Sequence, residues 1–167
     1  YGTHSLSSSV SGGNESKKYF VGLQRFHTDG ISQMTHNDEK DRYRNNGLVA
    51  SYSNEFSDKL EFQSNARVSE TYLQYDAVCV STLFGCSTSR DHSEEVDGVE
   101  SSTNLSLIYK PIEKLKNKFT IANTYIKRIY ARAPGSKNTQ QDNYYGDRYA
   151  FLYQGEYNFD LDNSIVF

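Results

Sequence analysis

The sequence has no tryptophan, a single methionine (Met34), two prolines and only two cysteines. It also lacks any apolar run near the ~20 residues that a membrane-spanning helix needs, which excludes a helical membrane protein. Leu, Ile, Val and Phe together make up about a fifth of the residues, close to the level at which disorder is expected. Yet there are 14 Tyr and 9 Phe, and disordered chains are poor in aromatics. An ordered architecture without a large oily interior is required. Excess positive charge is missing too: the net charge is −3, which argues against a basic face and a nucleic-acid partner. At 167 residues one domain is expected. No leader precedes the strand-like opening, and the chain reads as a processed or excised piece.

The two cysteines, Cys79 and Cys86, are spaced as "CVSTLFGC". Two free thiols or a metal pair are alternatives, but a metal would want further Cys or His at ligand spacing, and only His92 is near. A disulfide closing a small loop is the expectation, with an oxidising compartment as its consequence. His4, His27, His36 and His92 form neither a metal box nor a triad, and no nucleophile–base set suggests an enzyme. "NES" and "NLS" fit the glycosylation pattern without pointing to function.

What the chain has is period two. In "KLEFQSNARVSETYLQYDAVC", Leu60, Phe62, Ala66 and Val68 alternate with Glu61, Gln63, Asn65, Arg67 and Ser69. "NLSLIYK" puts Leu105, Leu107 and Tyr109 on one face, and "RYAFLYQGEY" does the same for Tyr149, Phe151, Tyr153 and Tyr157. The pattern is less clean over 118–130, where Ile121, Tyr125, Ile126 and Ile129 fall on both faces. Strands are expected over 3–11, 18–27, 43–53, 59–75, 101–110, 118–130, 147–157 and 164–167.

The connections carry more information than the strands. They alternate short, long, short, long, the long ones covering roughly 28–42, 76–100 and 131–146 in polar sequence. In an antiparallel meander every second connection lies at the same end, so long loops gather on one side and tight turns on the other. Outer-membrane barrels have that asymmetry, and their strands alternate apolar-out and polar-in. In lipid only a closed barrel satisfies every strand backbone group, and Leu60 to Val68 is about the nine residues that a tilted spanning strand needs. Tyr near strand ends would serve as interfacial girdles. The alternative is a soluble antiparallel sheet with one wet face. Because "SIVF" cannot cross a membrane and the first strand starts abruptly, a segment of a larger barrel is expected.

The run "FVGLQRFHTDGIS…NDEKDRYRNNGLVASYSNEFSDKLEFQSNARVSETYLQYDA" resembles the barrel of TonB-dependent outer-membrane receptors, closest to the cobalamin transporter branch. "SLSSSVSGGNESKKYFVGLQ" resembles an early hairpin of that barrel. The likeness covers about Tyr1 to Ala77. It implies an all-β antiparallel meander within a 22-stranded barrel around an N-terminal plug domain, which contacts TonB and is not among these residues. It implies uptake of a small-molecule cargo, here a cobalamin-like corrinoid; a siderophore or haem receptor is an alternative within the family. A small structural or adhesive barrel, and an extracellular carbohydrate-binding sheet, are the alternatives outside it.

Site expectations centre on the loop "TDGISQMTHNDEKD", with Asp29, Asn37, Asp38, Glu39 and Asp41. If the turn "NEFSD" centres on Phe56, Asp76 lies opposite His36 to Asp38 and Asp41 faces Thr71. Carboxylates from two loop bases would then converge, and clustered hard oxygens repel unless a cation such as calcium neutralises them. The resemblance points the same way: the family's calcium-binding aspartates and tyrosine match Glu39, Asp41, Tyr75 and Asp76, although Glu39 and Lys40 replace a more acidic, glycine-containing stretch. A solvated acidic loop is the competing reading. Polar-face Arg67 and Glu61 are candidates for a charge ladder facing the plug. The basic segment "IKRIYARAPGSK" would face lipopolysaccharide phosphates. Cargo-binding residues are not legible.

Overall fold

The computed structural model describes residues 2–31, 40–76, 81–82, 85–86, 93–132, 141–160 and 163–167. They form β1 (Thr3–Gly13), β2 (Lys17–Thr28), β3 (Tyr43–Ser57), β4 (Leu60–Asp76), β5 (Ser81–Thr82), β6 (Gly85–Cys86), β7 (Ser93–Ile112), β8 (Leu115–Arg132), β9 (Gln141–Asn158) and β10 (Ser164–Val166). Eight of these make one open sheet in the order β1-β2-β3-β4-β7-β8-β9-β10, every pair antiparallel, with β5 and β6 as a separate small hairpin. All eight expected strands are present, and long and short connections alternate as expected. Several strands run further toward the long connections than alternation indicated. β7 starts at Ser93 rather than residue 101, and β9 at Gln141 rather than residue 147. The added stretches "SEEVDGVE" and "QDNYYG" are polar and glycine-bearing, and cross-strand pairing overrides their weak strand preference.

The register sorts side chains with little ambiguity. Successive residues alternate faces, and paired residues share one. Leu6 and Val10 (β1), Tyr19, Val21 and Leu23 (β2), Leu48, Ala50 and Tyr52 (β3), and Leu60, Phe62, Ala66 and Val68 (β4) therefore lie on one face. Leu105, Leu107 and Tyr109 (β7), Phe119, Ile121, Tyr125 and Ile129 (β8) and Tyr149, Phe151 and Tyr153 (β9) continue it. Even the irregular stretch of β8 resolves: Ile121, Tyr125 and Ile129 join the apolar face, and only Ile126 takes the other.

Opposite runs a polar face laced by cross-strand hydrogen bonds. Asn45 Nδ2 donates to Ser69 Oγ and Thr71 Oγ1, both at 2.9 Å, and Ser106 and Thr120 join their hydroxyls at 2.8 Å. Arg67 and Glu61 both belong to this face; Glu61 accepts from Gln63 Nε2 at 2.7 Å.

Nothing in the described residues covers the apolar face. Leu6 is 70 % exposed, Leu23 55 %, Ile121 51 % and Phe151 79 %, and among the described residues Ile108 is the single buried hydrophobic side chain. This is one layer of sheet, whereas water-soluble domains bury such faces against a second layer.

The apolar band also slants across the hydrogen-bonded rows. The row through Val68 is apolar toward β2 (Leu48, Leu23) but meets Ser101 in β7. The row through Phe62 is apolar toward β9 (Leu107, Phe119, Tyr153) but meets Asn54 and Lys17 on the other side. From Leu6, level with Glu70, to Phe167, level with Leu60, the band slides toward the tight turns.

One expected register is corrected. The β3–β4 turn is Asp58–Lys59, and Phe56 is an extra residue bulged out between Glu55 and Ser57. Thr71 consequently pairs with Asn45, four residues on from Asp41, and the Gln74 amide donates to Arg42 O at 2.8 Å. Asp41 therefore does not face Thr71; Asp76 pairs with Ser93 across its β7 edge, and the 36–38 segment expected across its other edge lies outside the described residues.

Gly30 closes the base of the connection after β2. Its φ is 66°, and a Cβ there would run into the Asp41 carbonyl oxygen. Gly30→Val should cost about 1–3 kcal/mol locally. Hydrogen exchange is expected to speed at Asp29 and Gln74 while the Ala66 amide, mid-sheet, stays protected.

Candidate functional site

At the long-connection end of the polar face, four strands frame a groove. Tyr75 comes from β4, Glu94 and Glu100 from β7, Arg128 and Tyr130 from β8, and Tyr144 from β9. It consists of two adjoining cavities of about 560 and 390 Å3, which share Tyr75, Arg128 and Tyr130. Its depth comes from two glycines. Gly98 stands between Thr71 and Arg128 in one row, and Gly146 sits opposite Ile126 in the next. A Cβ at Gly98 would make only ordinary contact, 3.8 Å from Thr71 O, and one at Gly146 would meet nothing within 4 Å. Both glycines thus leave room on the surface without being required by the backbone.

The walls are aromatic, and hydrogen bonds hold Arg128, Glu100 and Glu94 in place. Tyr130 and Tyr144 meet edge to face, with centroids 5.4 Å apart and planes at 84°, a favourable quadrupolar arrangement. Arg128 Nη2 donates to Glu100 Oε1 at 2.7 Å, and Tyr75 Oη donates to Glu94 Oε2 at 2.8 Å. Burial, and then the hydrogen bond to Glu94, push the Tyr75 phenol up to about 12. The folded state favours the neutral phenol, so this stabilisation is fully present below pH 10 and drains as pH rises through about 12. A difference titration of tyrosinate absorbance between wild type and Tyr75→Phe should show the missing step near pH 12, after the exposed tyrosines ionise.

Only part of the expected calcium set falls among the described residues. Asp38 and Glu39 lie outside the described residues, as do His36 and Cys79, one half of the expected disulfide. Asp41 and Tyr75 are described, but the Tyr75 hydroxyl is committed to Glu94. Among the described residues no three His, Cys, Asp or Glu side chains gather as a metal site would require. Asp76 is fixed only through its backbone pairing with Ser93, and Cys86 through its pairing with Ser81 in the small hairpin. At the other loop base, Asp29 Oδ1 lies 3.3 Å from His27 Nε2 and Oδ2 lies 3.7 Å from Lys40 Nζ, so this carboxylate is used locally. The hydrogen bond from His27, with Lys40 adding to it, holds its pKa below the ordinary value.

The basic segment after residue 125 is divided by the pleat. Arg128 faces the groove, while Lys127 stands on the apolar side with its Nζ 5.9 Å from the Tyr145 ring centroid. Sequence reading missed Glu94, Glu100 and Tyr144 because 76–100 and 131–146 read as loops. The signal was there in "EEVDGVE" and "DNYYGD", whose alternate residues carry one face forward. No protein-family model, no curated protein and no solved structure matches the chain.

Proposed function

We propose that this chain is part of the wall of an outer-membrane β-barrel that takes up an extracellular nutrient in the manner of the TonB-dependent receptors it resembles. The observation that carries the reading is the apolar face, continuous through the long strands and covered by nothing among the described residues. Lipid is the covering that suits such a face, and it lets the chain do without a large oily interior. The slant of the band supports this. A drift of about 1.4 residues per strand, at about 3.3 Å rise and 4.8 Å spacing, corresponds to strands tilted by about 45°, as in membrane barrels. A soluble sheet with one wet face has no flat slab to cross and no reason for a slant. β1 and most of β9 present unpaired backbone edges, which in lipid require neighbouring strands.

In this reading the polar face lines the lumen, and the Tyr75–Tyr130–Tyr144 groove lies at its extracellular mouth. There the aromatic corner and the paired charges contact cargo, with a cobalamin-like corrinoid as the resemblance implies. A plug domain and TonB, both outside these residues, would supply gating and energy. The test is binding of labelled cyanocobalamin, against a ferric siderophore and haem, to envelopes that carry the protein. Saturable corrinoid binding supports the assignment; saturable binding of one of the other cargoes moves it within the family; binding of none removes the uptake reading.

A further inference from the structure

We infer that the apolar face carries a specific site for a lipid with an anionic phosphate headgroup, a site that rests on the membrane reading. Leu23, Leu48 and Val68 stand side by side in one row of β2, β3 and β4, and Leu6 of β1 stands one row nearer the long connections. With Arg25, Asn46 and Glu70 in the row at one end, they line a groove of about 460 Å3. The walls are alkyl side chains and suit an acyl chain. The end formed by Arg25, Asn46 and Glu70 is polar, and it lies at the edge of the apolar band, where a headgroup would sit.

Two guanidiniums mark that end. Arg25 pairs with Asn46, and Arg44 is the next residue along the same face of β3, opposite His27. Diagonal neighbours of this kind lie about 7–8 Å apart, a span that one phosphate group bridges with two long side chains. Arg44 leans over the Tyr72 ring, with Cζ 5.6 Å from its centroid, and its buried Nε has no hydrogen-bond partner. The nearby acids are occupied: Glu70 accepts from Asn46 Nδ2 at 2.9 Å, and Asp29 is held by His27 and Lys40. Among the described residues no carboxylate forms an ion pair with Arg25 or Arg44. A phosphate, which takes bidentate hydrogen bonds from guanidinium, fits this pair.

The test reconstitutes the protein in mixed micelles of phosphatidylglycerol and phosphatidylcholine with identical acyl chains, and weighs the retained lipid by native mass spectrometry. Phosphatidylglycerol should be retained preferentially, and Arg25→Gln with Arg44→Gln should lower that preference by about fivefold per guanidinium. Arg25→Lys with Arg44→Lys, which keeps the charge but loses the bidentate fork, should retain only part of it, and Lys127→Gln, on β8, should leave it unchanged. Equal retention of both lipids, or a preference that survives the double Gln variant, overturns the site while leaving the membrane reading intact. A protein that retains neither lipid and stays in water overturns both.

Discussion

Ile121→Arg destabilises the protein in a bilayer by about 2–4 kcal/mol, whereas Ala122→Arg, one residue along, changes stability by about 0.5 kcal/mol or less. The two positions are chain neighbours on opposite faces. Ile121 sits mid-band between Leu105 and Phe151 and is 51 % exposed, so lipid is what a membrane places against it. Ala122 pairs with Asn104 and Ala150 on the polar face, where a long cation reaches water. If the apolar face were bathed in water, an exposed Ile121→Arg would be nearly neutral too. Urea unfolding of each variant from lipid vesicles measures the difference.

Gly98→Phe should weaken cargo binding by about 2 kcal/mol, near thirtyfold, the scale of an aromatic hot spot lost or blocked. The added side chain enters the groove between Thr71 and Arg128, where its Cβ makes only ordinary contact. Folding is therefore expected to survive, and the loss to appear as faster dissociation of labelled cyanocobalamin. Tyr130→Ala should reduce binding similarly by removing the edge-to-face partner of Tyr144.

The fold was legible wherever one face alternated cleanly. "LEFQSNARV" announces its own two faces, and the polar connections mark the ends of the sheet. Strand lengths were less legible, because "SEEVDGVE" has the composition of a loop and is ordered by pairing to β4 and β8. The β3–β4 register was misjudged for a more local reason. The bulge at Phe56 and the turn at Asp58–Lys59 are set by backbone geometry that "NEFSD" does not spell out. A four-residue error followed, and it had set Asp41 opposite Thr71, where the ladder places Asn45. The groove was out of reach for a third reason: Tyr75, Glu94, Arg128 and Tyr144 are distant in sequence, and only four strands in fixed register bring them together.

The central claim is that one face of this sheet meets lipid and the other water, and single cysteines read that out directly. In a Cys79→Ser, Cys86→Ser background, Asn104→Cys, Leu105→Cys, Leu107→Cys, Ile121→Cys and Ala122→Cys would be labelled in intact envelopes. A water-soluble maleimide should modify positions 104 and 122 and spare 105, 107 and 121, which only a lipid-soluble maleimide reaches. Equal labelling of all five by the water-soluble reagent would contradict the account.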